Sequence, residues 1–308
     1  MFSAPTIADE ILDLKKQRRA ILLAHHYQEP EIQELADVVG DSLELARKAR
    51  EFEGDVIAFC GVWFMAETAK VLNPNRTVVV PDRDAGCSLV DGCPVEPVRA
   101  FRRRNPEHVI VSYINTSIEV KAESDILCTS RNAVKIVNSI PAEKPILFLP
   151  DRNLGNYVKK ETGRENMEIW QGSCIVHATF PARRVVEAKL DHPEALVVAH
   201  PECPESVLQM ADYVGSTSAL IEWCTASDAR EFIVMTESGI HHSLAKLPGK
   251  QFYYVANENC NCSECPYMKL NTLDKLRDCL ANLAPRVELS AELMARALAP
   301  LERMLAVK

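Results

Sequence analysis

The sequence predicts an α/β protein made of three homologous three-layer α/β/α domains, each with a parallel sheet, set around a pseudo-threefold axis. Three observations predict it. Short apolar runs ending in polar residues start at Leu22, Val109 and Leu196, each 87 residues after the last. Hydroxyl-bearing residues and an amphipathic pattern follow each run in phase. Every copy then repeats the alternation of apolar run and helical pattern once more. Short apolar strands alternating with helices call for parallel sheets covered on both faces. Self-similarity at a fixed period marks a repeat architecture.

Taken in order, Ile7, Ile11 and Leu14 predict a first helix outside the repeat. The first strands are Leu22–Gln28 (LLAHHYQ), Val109–Asn115 (VIVSYIN) and Leu196–Glu202 (LVVAHPE). Ser42, Ser130 and Ser216 open the next segments, 88 and 86 residues apart. Leu43, Ala46 and Ala49 follow the first; Ala133, Val134 and Val137 the second; Ala219, Leu220 and Trp223 the third. These spacings suit amphipathic helices capped by Ser, Thr or Asp. Second strands are predicted at Val56–Phe59, Ile146–Leu149 and Phe232–Met235, leading to helices at Ala66–Leu72, Asn153–Lys160 and His241–Leu247. Tail helices over Leu273–Leu283 and Glu292–Leu305 are expected to pack on the first domain. The expected domains are residues 1–86 with 266–308, residues 87–173, and residues 174–265.

Composition bounds the function. The chain has 308 residues, 47% hydrophobic and 25% charged, with a net charge of −8. That is ordinary for a globular protein of more than one domain. An acidic balance argues against nucleic-acid or membrane-surface binding. The longest strongly apolar stretch without charge, Val56 to Ala66, falls short of the roughly 20 residues a membrane span requires. The first residues show no basic region followed by an apolar core, so a cytoplasmic location is expected.

Eleven cysteines are many. In a reducing compartment a disulfide framework is not expected. Cys60, Cys128, Cys224 and Cys279 sit in apolar or helical runs and read as core. Cys87 and Cys174 are 87 residues apart, and the third equivalent position falls in Cys260-Asn261-Cys262-Ser263-Glu264-Cys265. Three loops related by a pseudo-threefold axis would bring three thiols to one point. Structural zinc usually takes four protein ligands. A [4Fe–4S] cubane held by only three cysteines keeps one iron open as a Lewis acid. The competing reading is shared ancestry alone, with the cysteines in buried loops. Cys262-x-x-Cys265 by itself also suits a redox pair or half a zinc site. No G-x-G-x-x-G, Walker A loop or H-E-x-x-H is present, which removes the usual support for nucleotide-cofactor and zinc-protease readings.

Ligands of doubly wound sheets bind beyond the carboxyl ends of the strands. Those ends carry His25, His26 and Tyr27; Tyr113 and Asn115; His200 and Glu202. Ser42, Ser130 and Thr217 lie at the helix starts, where free N–H groups and the helix dipole favour anions. The pattern implies a small ligand with several negative charges.

LAHHYQ (Leu23–Gln28), GDSLELAR (Gly40–Arg47), GVWFMAETAKVLNP (Gly61–Pro74), SYINTS (Ser112–Ser117), HPEC (His200–Cys203) and CPYMKLNTL (Cys265–Leu273) together resemble the quinolinate synthase family of bacterial NAD biosynthesis. The resemblance covers essentially the whole chain. It implies three α/β domains around a [4Fe–4S] cluster and condensation of iminoaspartate with dihydroxyacetone phosphate to quinolinate, phosphate and water. By motif it implies Cys87, Cys174 and Cys265 as cluster ligands. Cys260 and Cys262 flank the third and could replace it or pair with it in a disulfide. It implies substrate binding at His25, Ser42, Tyr113, Asn115, Ser130, His200, Glu202 and Thr217, with Tyr27 in the catalytic cavity. Tyr27, His200 and Glu202 are of types suited to the proton transfers such a ring closure needs. A transient contact with L-aspartate oxidase is the one protein partner expected. Two other readings stand beside this one: a different [4Fe–4S] hydro-lyase acting on a small hydroxy acid, and a non-enzymatic redox or metal sensor built on the cysteine-rich segment.

Overall fold

The chain is described by a computed structural model covering residues 5–256 and 263–307. Cys260 and Cys262 lie outside the described residues. The first sheet comprises β1 (Ala20–His25), β2 (Val38–Gly40), β3 (Val56–Cys60) and β4 (Thr77–Val79). The second comprises β5 (Val109–Tyr113), β6 (Ile126–Cys128), β7 (Ile146–Leu149) and β8 (Met167–Ile169). The third comprises β9 (Leu196–Ala199), β10 (Tyr213–Val214), β11 (Glu231–Met235) and β12 (Gln251–Tyr254). All three sheets are parallel and have the same order, β2-β1-β3-β4 and its equivalents. The threefold repeat of the sequence is therefore a threefold repeat of topology.

Each sheet has four strands where the repeat reading finds two. The central pairs are the predicted apolar runs, buried on both faces; Leu22, Leu23 and Ala24 of β1 are fully inaccessible. The added strands are short and lie beside or at the edges of those pairs. At the outer edge of the first sheet, Val80 N–H donates to Pro285 O and Val287 N–H to Val78 O, so the tail of the chain covers β4.

Helix starts follow from local chemistry. Asp41 caps Ser42–Glu51, accepting from the N–H groups of Leu43 and Glu44, and Glu44 returns a bond to Asp41 N–H. This closes a capping box. Ser216 caps Thr217–Ala226 through Ala219 N–H. Ser42 and Thr217 are therefore first helical residues rather than caps. Ser130 differs: it lies in a turn, because Asn132 Oδ1 accepts from Thr129 N–H at 2.7 Å and delays the helix to Ala133–Asn138. The second helices span Trp63–Leu72 and Arg152–Thr162; the third copy has only a 3₁₀ turn, Ser238–Ile240, and the short helix His241–Leu244.

The first helix, Ile7–Gln17, and the tail helix Leu273–Asn282 cover one face of the first sheet, where Ile11, Leu276 and Leu280 pack on Leu22, Ala24 and Val56. The last helix, Ala291–Ala306, departs from expectation. It packs chiefly on the second unit, against Ile118–Ala122 and β6. Arg303 Nη1 donates to Asp125 O there, and Arg296 pairs with Glu123. Its apolar stripe buries Ala297, Leu301 and Met304. An amphipathic stripe specifies that a helix will be covered, not which of three similar domains covers it.

Candidate active site

Loops beyond the carboxyl ends of the three sheets meet in one cavity. Its lining includes His25, Tyr27 and Ser42 of the first unit, Tyr113, Asn115 and Ser130 of the second and His200, Glu202 and Thr217 of the third, with Cys87, Cys174 and Cys265 from the loops that follow the last strand of each sheet. Of the residues named from the sequence, these twelve line the cavity, Cys260 and Cys262 lie outside the described residues, and His26 points elsewhere. Its ring nitrogens meet Ser243 Oγ at 3.0 Å and Ser218 Oγ at 3.3 Å, so it joins the first unit to the third.

The two strand-end histidines are held alike. His25 Nδ1 accepts from Tyr27 N–H at 3.1 Å, and His200 Nδ1 accepts from Glu202 N–H at 3.4 Å. With Nδ1 used as an acceptor, the neutral ring carries its proton on Nε2. Burial drives both rings far below the usual histidine range, His200 to about 3. They are neutral Nε2–H donors at physiological pH. His200 Nε2 lies 3.3 Å from Ser130 Oγ.

Glu202 is 3% exposed. Burial alone would raise its pKa, but the imidazoles of His200 and His177 and the neighbouring Tyr113 hydroxyl outweigh burial and hold the carboxyl below its ordinary range. His177 Nδ1 lies 2.8 Å from Glu202 Oε2. A proton on Nδ1 makes His177 Nε2 an acceptor for Thr236 Oγ1 at 2.8 Å. Thr236 then accepts from Tyr27 Oη at 2.8 Å, and Tyr27 accepts from Thr217 Oγ1 at 2.8 Å. One hydrogen-bonded line thus runs Thr217, Tyr27, Thr236, His177, Glu202. Burial pushes the Tyr27 phenol well above its ordinary value, so it stays protonated.

The Thr217 hydroxyl is therefore spent on Tyr27, and the Asp41 carboxylate already caps the helix that starts at Ser42. Two oxygens of the cavity lining remain open. Glu202 Oε1 and Asn115 Oδ1 are buried, without a hydrogen-bond partner among the described residues. Unpaired buried acceptors are rare and mark places where a ligand completes the bonding.

The three thiols fit an iron–sulfur centre. They line one cavity, and backbone N–H groups point at each sulfur: Leu89 and Val90 at Cys87, His177 at Cys174, Met268 and Tyr267 at Cys265. Burial pushes the thiols up, Cys87 to about 12 and Cys265 to about 11. Thiolates form in such surroundings only when a cation compensates them. Cys174, His177 and Glu202 bring ligand atoms within 4.8 Å of one another, a candidate metal group in its own right. Hydrogen bonds to sulfur and burial are the usual controls on such clusters.

His177, Thr236 and Glu237 were missed by the sequence reading. His177 follows Cys174 by three residues, and that Cys-x-x-His spacing was the available signal. Thr236 and Glu237 follow the second apolar run of the third copy, whereas the strand-end residues expected from the sequence all belong to the first runs.

The fold and the cavity define a three-unit α/β protein with a candidate metal centre and acid–base groups on its axis. The family model described as "Quinolinate synthetase A protein" matches residues 9–306, and the chain belongs to this family of enzymes. It is 54% identical to the quinolinate synthase of Nostoc sp. over 96% of this chain and 91% of that protein. To the quinolinate synthase of Synechocystis sp. it is 53% identical, covering 96% and 94%. To that of Prochlorococcus marinus it is 51% identical, covering 97% and 90%. None of the described helices is long and apolar enough to cross a membrane.

Proposed function

We propose that this chain condenses iminoaspartate with dihydroxyacetone phosphate to give quinolinate, phosphate and water, and that it does so with a [4Fe–4S] cluster held by Cys87, Cys174 and Cys265. The observation that carries the reading is the meeting of three thiols with the unpaired Glu202 Oε1 in one buried cavity. When bound, the cluster supplies an open iron, a Lewis acid toward substrate oxygen.

The chain's own groups divide the remaining work. The substrates bring two carboxylates and a phosphate. Ser42 and the Nε2–H donors of His25 and His200 supply hydrogen bonds to these anions without fixed positive charge. Asn115 Oδ1 accepts from an imine or hydroxyl proton. Glu202, ionised and with one free oxygen, takes a proton from carbon or nitrogen of the substrate. His177 steadies the other oxygen and connects it through Thr236 to Tyr27. Tyr27, protonated, returns a proton to a leaving oxygen. Such acid–base steps are each worth typically 10²–10⁴-fold.

The test is production of quinolinate and phosphate by anaerobically prepared protein, from dihydroxyacetone phosphate and freshly generated iminoaspartate. Product formed only with both substrates present supports the reading. Dehydration of a hydroxy acid without the phosphate ketone would replace it with a hydro-lyase.

A further inference from the structure

Two carboxylates near the cavity have no part in the chemistry above. Asp151 is the second residue after β7, and Glu237, 86 positions on, is the second residue after β11. Both side chains are fully buried. Asp151 Oδ2 accepts from the backbone N–H of Cys174 at 3.2 Å. Glu237 Oε1 accepts from the backbone N–H of Cys265 at 3.0 Å. The second oxygens are occupied too: Asp151 Oδ1 by Leu154 N–H at 2.7 Å, Glu237 Oε2 by Gly239 N–H at 2.6 Å. Lys269 Nζ stands 3.6 Å from Glu237 Oε1 and donates to Tyr27 O at 3.0 Å, so the Cys265 loop is tied to the catalytic tyrosine as well. In the first unit the same position, the second residue after β3, is Val62, which has no side-chain acceptor.

We propose that Asp151 and Glu237 are positioning residues for the cluster, each fixing the loop that presents one thiolate. The proposal rests on the reading of Cys174 and Cys265 as ligands. Two N–H groups converge on the two oxygens of each carboxylate, and only a carboxylate accepts at both. An amide carries one acceptor and one donor, so Asp151→Asn and Glu237→Gln must each give up one bond. Loss of an outer partner of a metal ligand typically costs about 10–100-fold in metal affinity.

Two measurements test this on the full chain. In the first, anaerobically loaded wild-type, Asp151→Asn and Glu237→Gln proteins are given an iron chelator, and the visible absorbance is followed. Iron release at least about tenfold faster from both variants is expected. Release at the wild-type rate overturns the proposal while leaving the cluster reading intact. A wild type that holds no cluster overturns that reading instead. The second measurement is residue-resolved amide exchange on the apoprotein. In the wild type the Cys174 and Cys265 amides should be protected. Asp151→Asn should release Cys174 alone, and Glu237→Gln should release Cys265 alone. A merely structural role would speed both amides or neither. Should either variant fail to fold, the wild type decides alone, since fast exchange at both cysteines defeats the proposal.

Discussion

Glu202 ends one hydrogen-bonded line and Tyr27 stands next to its other end, Thr217, and their protonation states differ because their surroundings differ. The neighbouring imidazoles outweigh burial at Glu202 and hold it ionised, whereas burial outweighs the Thr217 and Thr236 hydrogen bonds at Tyr27 and keeps the phenol protonated. Tyr27→Phe keeps the ring and removes the phenol from both Thr217 and Thr236. Glu202→Gln removes the proposed base and leaves an amide against His177. Each should lower kcat by about 10²–10⁴-fold with a smaller change in KM, measured by steady-state assay of the loaded enzyme. His26 allows a separate test by pH. Burial lowers its pKa to about 4 from an ordinary 6.5. Below pH 6.5 the unfolded ring takes up a proton that the folded ring refuses until about pH 4. Stability is therefore lost as pH falls through that window, by about 1.4 kcal/mol per unit. Between pH 7 and pH 5 the wild-type apoprotein should lose about 2 kcal/mol more than His26→Gln, read from denaturant melts. An equal loss in both proteins would refute the assignment. Much at this scale was legible from the repeat: His25 and His200 end equivalent strands. His177 was not, because its counterparts three residues after Cys87 and Cys265 are Val90 and Met268. The phase argument finds groups that recur and passes over a group present in one copy only.

Among the elements, the helix starts carry the sharpest distinction. Ser216 and Thr217 are neighbours with different tasks. Ser216 Oγ caps its helix and donates to Asp41 Oδ2 at 2.9 Å across the boundary between units, while Thr217 donates to Tyr27. Ser216→Ala should lower stability by about 1–2 kcal/mol, the cost of a lost cap, in melts of the apoprotein. Thr217→Val should instead reduce turnover with little change in melting. Similar melting losses in both variants, with turnover intact, would show Thr217 to be only part of the helix end. The central strands were legible because β1, β5 and β9 are unbroken apolar runs. β2, β6 and β10 were not, being two or three residues long. Gly40 and Cys128 close two of these strands, yet in the sequence they read as the approach to a helix. β8 and β12 include charged or polar residues such as Glu168 and Gln251, which edge strands tolerate because only one side is paired.

The whole molecule depends on contacts that join one unit to the next. Lys121, 1% exposed, donates to Thr116 O at 2.8 Å within the second unit and to Phe64 O at 3.2 Å in the first. Phe64 lines the cavity. Lys121→Met should strip both carbonyls of this donor and destabilise the apoprotein by about 2–6 kcal/mol, about 1–3 kcal/mol for each lost bond. A single variant as stable as the wild type in thermal melts would remove this clamp from the account. Sequence periodicity foretold three copies and a shared axis, because cysteines and strand ends kept one phase. It could not foretell where the last helix docks, since three similar domains offer three similar faces. The proposed centre is one cluster held by Cys87, Cys174 and Cys265, one cysteine from the loop after each sheet. Iron and acid-labile sulfide, measured per chain in anaerobically purified protein, test it most directly. About four of each are expected in the wild type, with loss of the cluster in Cys87→Ala, Cys174→Ala and Cys265→Ala alike. Zinc in place of iron, or a full cluster retained in any one of the three variants, would contradict it.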